Sequence, residues 1–284
     1  MGEIIDVKKI AEKYREEIKN FIIGRKENDK SAPKAANIIA GDDGGSIYYL
    51  NNIINLYNNL GIEYENYKYG NNVKERDLLK IINSLNNDIS LQGIMLFMPL
   101  PPSINSKTVL NSIWYKKDID GLTPDNIGRF YSSEKCFIPN TPRAIITILK
   151  DSNIKIEGKR AVVIGRSSIV GRPVSELLLK ENATVTICHS KTENIRQVSR
   201  EADILISAVG RPGIIDSSFI KEGAVVIDVG TSSVNGCITG DVNLESVLDK
   251  ASYVTKVPGG VGSLTTTMLA KNLCEALMEN DKNS

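Results

Sequence analysis

The 284-residue chain is 41% hydrophobic and 24% charged, with a formal net charge of +1, a balance that suits one large or two ordinary globular domains. No clustered Lys/Arg face points to nucleic acid, and no apolar run is long enough to span a bilayer. The start, Met-Gly-Glu-Ile-Ile-Asp, lacks the pattern of a secretory signal, and the four scattered cysteines form no CxxC pair, so a cytoplasmic protein without a bound metal is expected.

Val7, Ile10, Ala11, Tyr14, Ile18, Phe21 and Ile22 recur at helical spacing and predict a first amphipathic helix. Lys34 to Gly41 reads as a strand, followed by a loop with Ser46 as the expected helix cap. Tyr49, Ile53, Leu56, Tyr57 and Leu60 share the next helical face, closed by Gly61. A strand at Glu63–Tyr69, a helix marked by Leu78, Ile81, Ile82 and Leu85, and a buried strand at Gly93–Met98 follow, stopped by Pro99-Leu100-Pro101-Pro102. This alternation predicts a parallel sheet covered by helices.

Thr141 to Lys150 predicts a connecting helix. A second series then begins, with strands expected at Ala161–Ile164, Thr184–Cys188, Asp203–Ala208, Ala224–Val229 and Tyr253–Val257, and a helix at Ile169–Lys180. It reads as a doubly wound sheet. Thr265 to Glu279 predicts a last apolar-faced helix that could pack back on the first domain.

The first turn of the second series, Gly165-Arg166-Ser167-Ser168-Ile169-Val170-Gly171, lies between a strand and a helix. Gly165 permits a tight turn, Gly171 permits close helix packing, and N–H groups at the helix start can hold a pyrophosphate. Ser167 stands where the common dinucleotide pattern has its middle glycine. A structural turn that binds nothing is the alternative. The second strand ends Cys188-His189-Ser190-Lys191, without the acid that binds an NAD ribose. Arg166, Ser190 and Lys191 could instead bind a 2′-phosphate, so NADP is favoured. His189, the single histidine, is expected in a structural or cofactor-side role.

Along essentially its whole length the chain resembles the bifunctional methylenetetrahydrofolate dehydrogenase/methenyltetrahydrofolate cyclohydrolase family. The likeness is densest in Lys117-Asp118-Ile119-Asp120-Gly121, Gly165 to Pro173, Gly240-Asp241-Val242 and Val257-Pro258-Gly259-Gly260-Val261-Gly262. The resemblance implies two α/β domains with a cleft between them, the second a Rossmann-type doubly wound parallel sheet. Residues 1–140 and 265–284 would form the folate-binding catalytic domain, and 141–264 the NADP-binding domain. It implies tetrahydrofolate substrates, catalytic roles for Tyr49 and Asp120, and substrate contacts from these two with Leu96, Met98, Pro258, Gly259 and Gly262. Gly165, Arg166, Ser167, Ser190 and Thr231 would line the cofactor. It also implies a homodimer formed through the cofactor domains.

Two departures from the family pattern are serious, beside smaller ones at Asn140, where the family often has cysteine, and at Ser263-Leu264, where it has Pro-Met. Ile53, one helical turn after Tyr49, stands where the family has its catalytic lysine, and Phe97 stands where it has the glutamine that positions that lysine. Hydride transfer needs an oriented pair of carbons and a cofactor. Cyclohydrolysis needs proton transfer by a group of tuned pKa. The expectation is therefore an NADP-dependent dehydrogenase with weak or absent cyclohydrolase activity, served by a separate cyclohydrolase. Alternatives are the full bifunctional enzyme, with Lys116 or Lys117 substituting if the fold brings them in, and a non-catalytic folate or nucleotide sensor. Tyr49 as a core tyrosine and Asp120 as a turn aspartate are the plainer readings of those two residues.

Overall fold

The computed structural model describes residues 2–234 and 236–283, and the chain divides into two compact units. The first holds Lys13–Ile138 and the residues from Thr266 onward; the second holds Pro139–Thr265 and the residues up to Glu12. In chain order the elements begin with β1 (Glu3–Ile4), α1 (Val7–Glu27), β2 (Lys34–Ala40), α2 (Gly44–Leu60), β3 (Glu63–Tyr69), α3 (Glu75–Asn87), β4 (Gly93–Leu96), α4 (Ser106–Asn111) and α5 (Pro124–Tyr131). They continue with α6 (Asn140–Asp151), β5 (Arg160–Ile164), α7 (Gly171–Lys180), β6 (Thr184–Cys188), α8 (Ile195–Ser199), β7 (Ile204–Ser207), β8 (Val225–Asp228), β9 (Ser232–Val234), β10 (Cys237–Thr239), α9 (Leu244–Leu248), β11 (Tyr253–Val254) and α10 (Val261–Asn283).

The first unit is built on a parallel sheet of order β3-β2-β4. Side chains alternate across its faces. Met95 and Phe97 join a core with Ile53, Tyr57, Ile119 and Leu273 on one side. Ile94 and Leu96 join Leu78, Ile82 and Val109 on the other. Helix α2 is capped by Asp43, whose Oδ2 accepts the Ser46 N–H at 2.8 Å. Ser46 is therefore a residue of the first turn and not the cap. Its buried hydroxyl lies 2.7 Å from the Met98 carbonyl, tying the helix start to the end of β4. Gly61 closes the helix in the left-handed conformation, φ 78°, as its sequence position predicts.

The second unit carries a parallel six-stranded sheet of order β1-β11-β8-β7-β5-β6. The first strand of the series, β5, has β6 on one side and β7 on the other, which puts the topological switch point between β5 and β7. Two features depart from expectation. The N-terminal residues belong to this unit and not to the first, because Glu3 and Ile4 pair with Tyr253 and Val254. A two-residue strand is too short to show alternation. An antiparallel hairpin, β9–β10, follows β8; its side chains are mostly exposed and lack the apolar pattern that marks a core strand.

No helix among the described residues is long and apolar enough to cross a membrane.

Candidate active site

In the first unit, Tyr49 and Ile53 occupy successive turns of α2, and Phe97 follows β4. The Tyr49 and Phe97 rings meet edge to face, with centroids 6.0 Å apart. Ile53 is 0% exposed and Phe97 2%, and both are packed with Met95, Tyr57 and Cys274. The floor beside Tyr49 is therefore hydrocarbon and aromatic. Burial, with the Asp120 carboxylate adding to it, pushes the Tyr49 phenol well above its ordinary range. Burial pushes the Cys274 thiol up to about 12. Both groups are neutral at physiological pH, so neither supplies a base there.

The turn that carries Asp120 is built by its neighbour. Asp118 is buried; its Oδ1 accepts the Gly121 N–H at 3.0 Å and its Oδ2 the Thr123 N–H at 2.7 Å. Asn126, fully buried, donates to Asp118 Oδ2 at 2.8 Å and to the Tyr115 carbonyl at 2.9 Å, and its Oδ1 accepts the Phe137 N–H. The turn-forming role considered for Asp120 thus falls to Asp118. Asn126→Ala leaves buried groups without partners and is expected to cost about 2–4 kcal/mol of stability in urea denaturation as the turn that carries Asp120 slackens.

Neither lysine of the preceding dipeptide stands in for Ile53. Buried Lys117 donates to the carbonyls of Leu85 and Asp88 at the end of α3, where desolvation lowers its pKa. Lys116 is exposed and lies over the Trp114 ring at 5.2 Å. Of the other predicted substrate residues, Leu96 turns its side chain into the core on the face opposite Phe97, whereas Met98 is 42% exposed. Leu96 is thus separated from Tyr49 by the sheet itself. Pro258, Gly259 and Gly262 lie in the second unit, between β11 and the first turn of α10. Gly259 has φ +89°, and a β-carbon there would press on the Lys8 side chain at 3.1 Å.

In the second unit, Gly165 has φ +132° and its missing side chain leaves room for the Ala208 carbonyl; Gly171 does the same for the Gly165 carbonyl. The glycines expected to form a cofactor cradle therefore shape one notch at the switch point. Ser167 Oγ accepts the N–H groups of Val170 and Gly171 at 3.1 and 3.3 Å, capping the start of α7. Ile164 is in register with Cys188. Arg166 and Ser190 each follow two residues later, just beyond the ends of these adjacent strands, and both are exposed. That cradle and this polar rim fit a dinucleotide bearing a 2′-phosphate. Thr231 is exposed just beyond β8. His189 Nδ1 accepts the Lys191 N–H at 3.1 Å, which makes the histidine part of the turn after β6.

Asp228 and Asp241, which the sequence leaves without a role, also lie in this unit. Asp228 ends β8, and both carboxylates are buried. Burial, with the charge of Asp241 adding to it, pushes Asp228 up to about 6 against the pull of three N–H donors. An acid closing the apolar run Val225–Asp228 was the available signal.

The model for the catalytic domain of tetrahydrofolate dehydrogenase/cyclohydrolase matches residues 5–120, and that for the NAD(P)-binding domain matches residues 139–281. A relative from Clostridium botulinum (strain Alaska E43 / Type E3), the bifunctional protein FolD, is 53% identical over 279 residues, covering 98% of this chain and 99% of the relative. The structure of the bifunctional FolD enzyme from Campylobacter jejuni superposes with a TM-score of 0.95 at 37% identity, covering 98% of this chain and 99% of that one. A Trypanosoma brucei structure of the methylenetetrahydrofolate dehydrogenase-cyclohydrolase, complexed with NADP cofactor and inhibitor, gives 0.92 at 33% identity, covering 98% of each chain. The chain belongs to the tetrahydrofolate dehydrogenase/cyclohydrolase family.

Proposed function

We propose that this chain oxidises 5,10-methylenetetrahydrofolate to the methenyl form by hydride transfer to NADP, and that its cyclohydrolase step is weak or absent. The observation that carries the second half is the pair Ile53 and Phe97, both buried and apolar beside Tyr49. NADP, when bound, accepts the hydride. The protein's part is to bind and orient: Asp120 accepts hydrogen bonds from the pterin, and Tyr49 adds a neutral hydroxyl. The backbone around Gly259 and Gly262 allows close approach of the ligand. Arg166 and Ser190 hold the 2′-phosphate, with Gly165, Ser167 and Thr231 along the cofactor. None of these tasks needs a base of tuned pKa, whereas hydration of the methenyl carbon does.

The names of the relatives favour a second reading, in which both reactions persist. One assay separates the two. Purified protein with methylenetetrahydrofolate and NADP is followed by absorbance of the reduced cofactor and of the methenyl product. Under the first reading methenyltetrahydrofolate accumulates and decays at its spontaneous rate. Under the second, 10-formyltetrahydrofolate appears in step with the reduced cofactor. No cofactor reduction at all would favour a sensor.

Arg166→Ala removes a charged partner of the 2′-phosphate, a contact worth about 1.5–3 kcal/mol. The KM for NADP should rise roughly 10- to 150-fold while that for NAD stays within about twofold. An equal loss with both cofactors would count against the assignment. A homodimer formed through the second unit, and a separate hydrolase that consumes the methenyl product, complete the proposal.

A further inference from the structure

We infer that Asp228 and Asp241 are positioning residues, which lock the loops after β7 and β8 into the arrangement that receives the nicotinamide half of the cofactor. The inference rests on the NADP reading above. Asp241 Oδ2 accepts the Ser207 hydroxyl at 2.9 Å and the Val209 N–H at 2.8 Å, and its Oδ1 accepts the Arg211 N–H at 2.8 Å. Asp228 Oδ1 accepts the N–H groups of Gly230 and Asp241, and its Oδ2 that of Val242, each at 3.0 Å. Two carboxylates thus tie together three stretches of chain: the exit of β7, the exit of β8, and the return from the β9–β10 hairpin. Ser232 Oγ adds a link to the Gly210 carbonyl at 3.1 Å.

The glycines of this knot fit it reciprocally. A β-carbon on Gly230 would overlap the Asp241 carboxylate, and one on Gly240 would overlap that of Asp228. Neither glycine has a left-handed φ, so each is small for the sake of the other strand's acid. Burying two neighbouring carboxylates is costly unless hydrogen bonds repay it. Loops on the surface need no such device; loops that must keep one shape do.

Their place in the sheet says what the shape serves. The exit of β7 touches the cofactor turn, since the Ala208 carbonyl fills the notch left by Gly165. The β6 side of the switch point carries Ser190 and takes the adenosine end. The β7–β8 side, which carries Thr231, is left for the nicotinamide end.

The test compares binding of NADP with that of 2′,5′-ADP, which contains only the adenosine end, in the full chain. Asp241→Asn and Gly230→Ala are expected to weaken NADP about tenfold or more while 2′,5′-ADP stays within about twofold. KM for NADP rises with little change in KM for the folate. Ser207→Ala, which deletes a single donor, replaces Asp241→Asn if circular dichroism shows that variant unfolded. Parallel loss of both compounds, or no change in either, would overturn the inference. A wild-type protein that binds neither compound would instead sink the NADP reading.

Discussion

Ile53→Lys combined with Phe97→Gln is expected to raise cyclohydrolase activity by about 100-fold or more over the wild-type chain, the usual worth of a general acid–base group. The two changes must be made together. Ile53 has no exposed surface and is packed among Met95, Tyr57 and Leu273. A lone ammonium placed there is stripped of water among these side chains, and Ile53→Lys alone should cost about 3–5 kcal/mol in urea denaturation. Phe97→Gln alone forfeits the edge-to-face contact with Tyr49 and buries an amide without a partner, at a cost of about 2–3 kcal/mol. If the two groups hydrogen-bond, the double variant is more stable than the sum of the singles predicts, and only it gains activity. A folded double variant that converts methenyltetrahydrofolate no faster than the wild type would show that these residues do not limit the step. An already rapid wild-type reaction would refute the proposed loss outright.

Gly165→Ala is expected to abolish cofactor binding and to destabilise the second unit by about 2–5 kcal/mol, combining backbone strain at φ +132° with overpacking against the Ala208 carbonyl. Moving that carbonyl is not a small adjustment, because the Ala208 N–H is itself bonded to Ile164 O at 2.8 Å in the sheet register. Gly158→Ala is the control. Its φ of +73° is also left-handed, yet nothing lies within 4 Å of an added β-carbon. It should cost only about 1–2 kcal/mol and leave NADP binding intact. Thermal denaturation with and without NADP measures both effects. Retention of tight NADP binding in Gly165→Ala would remove that glycine from the cradle.

The two series of strands and helices were legible because apolar spacing reports burial directly. The six-residue run from Gly93 to Met98 shows the limit of that signal. Periodicity identifies it as a buried strand but does not say which face each residue joins. The structure sends Phe97 towards Tyr49 and Leu96 away, a distinction set by register with β2. Glycines and charge at the strand ends of the second unit point to a nucleotide only together with the strand–helix series that frames them. Local chemistry was silent on Asp118, Asn126, Asp228 and Asp241. Their partners lie in other segments, and a polar residue in a sequence does not announce that it is buried. Lys117 illustrates the converse: a lysine near a site invites a catalytic role, and its amine is occupied by the Leu85 and Asp88 carbonyls at the end of α3.

The pairing of β1 with β11 bears on how the chain acquires its structure. Glu3 and its partner Tyr253 lie far apart in the sequence, with the whole segment Lys13–Ile138 of the other unit between them. The sheet of the second unit therefore cannot close at that edge until Tyr253 and Val254 have been made and brought back to Glu3 and Ile4. The entropic cost of joining distant segments grows only with the logarithm of the loop between them. Prior folding of Lys13–Ile138 would shorten that loop further. Contacts of such long sequence separation slow folding more than they weaken the product. The β1–β11 pairing is thus the most sequence-distant strand pairing of this sheet among the described residues, and the second unit is completed by residues that precede the first unit in the chain.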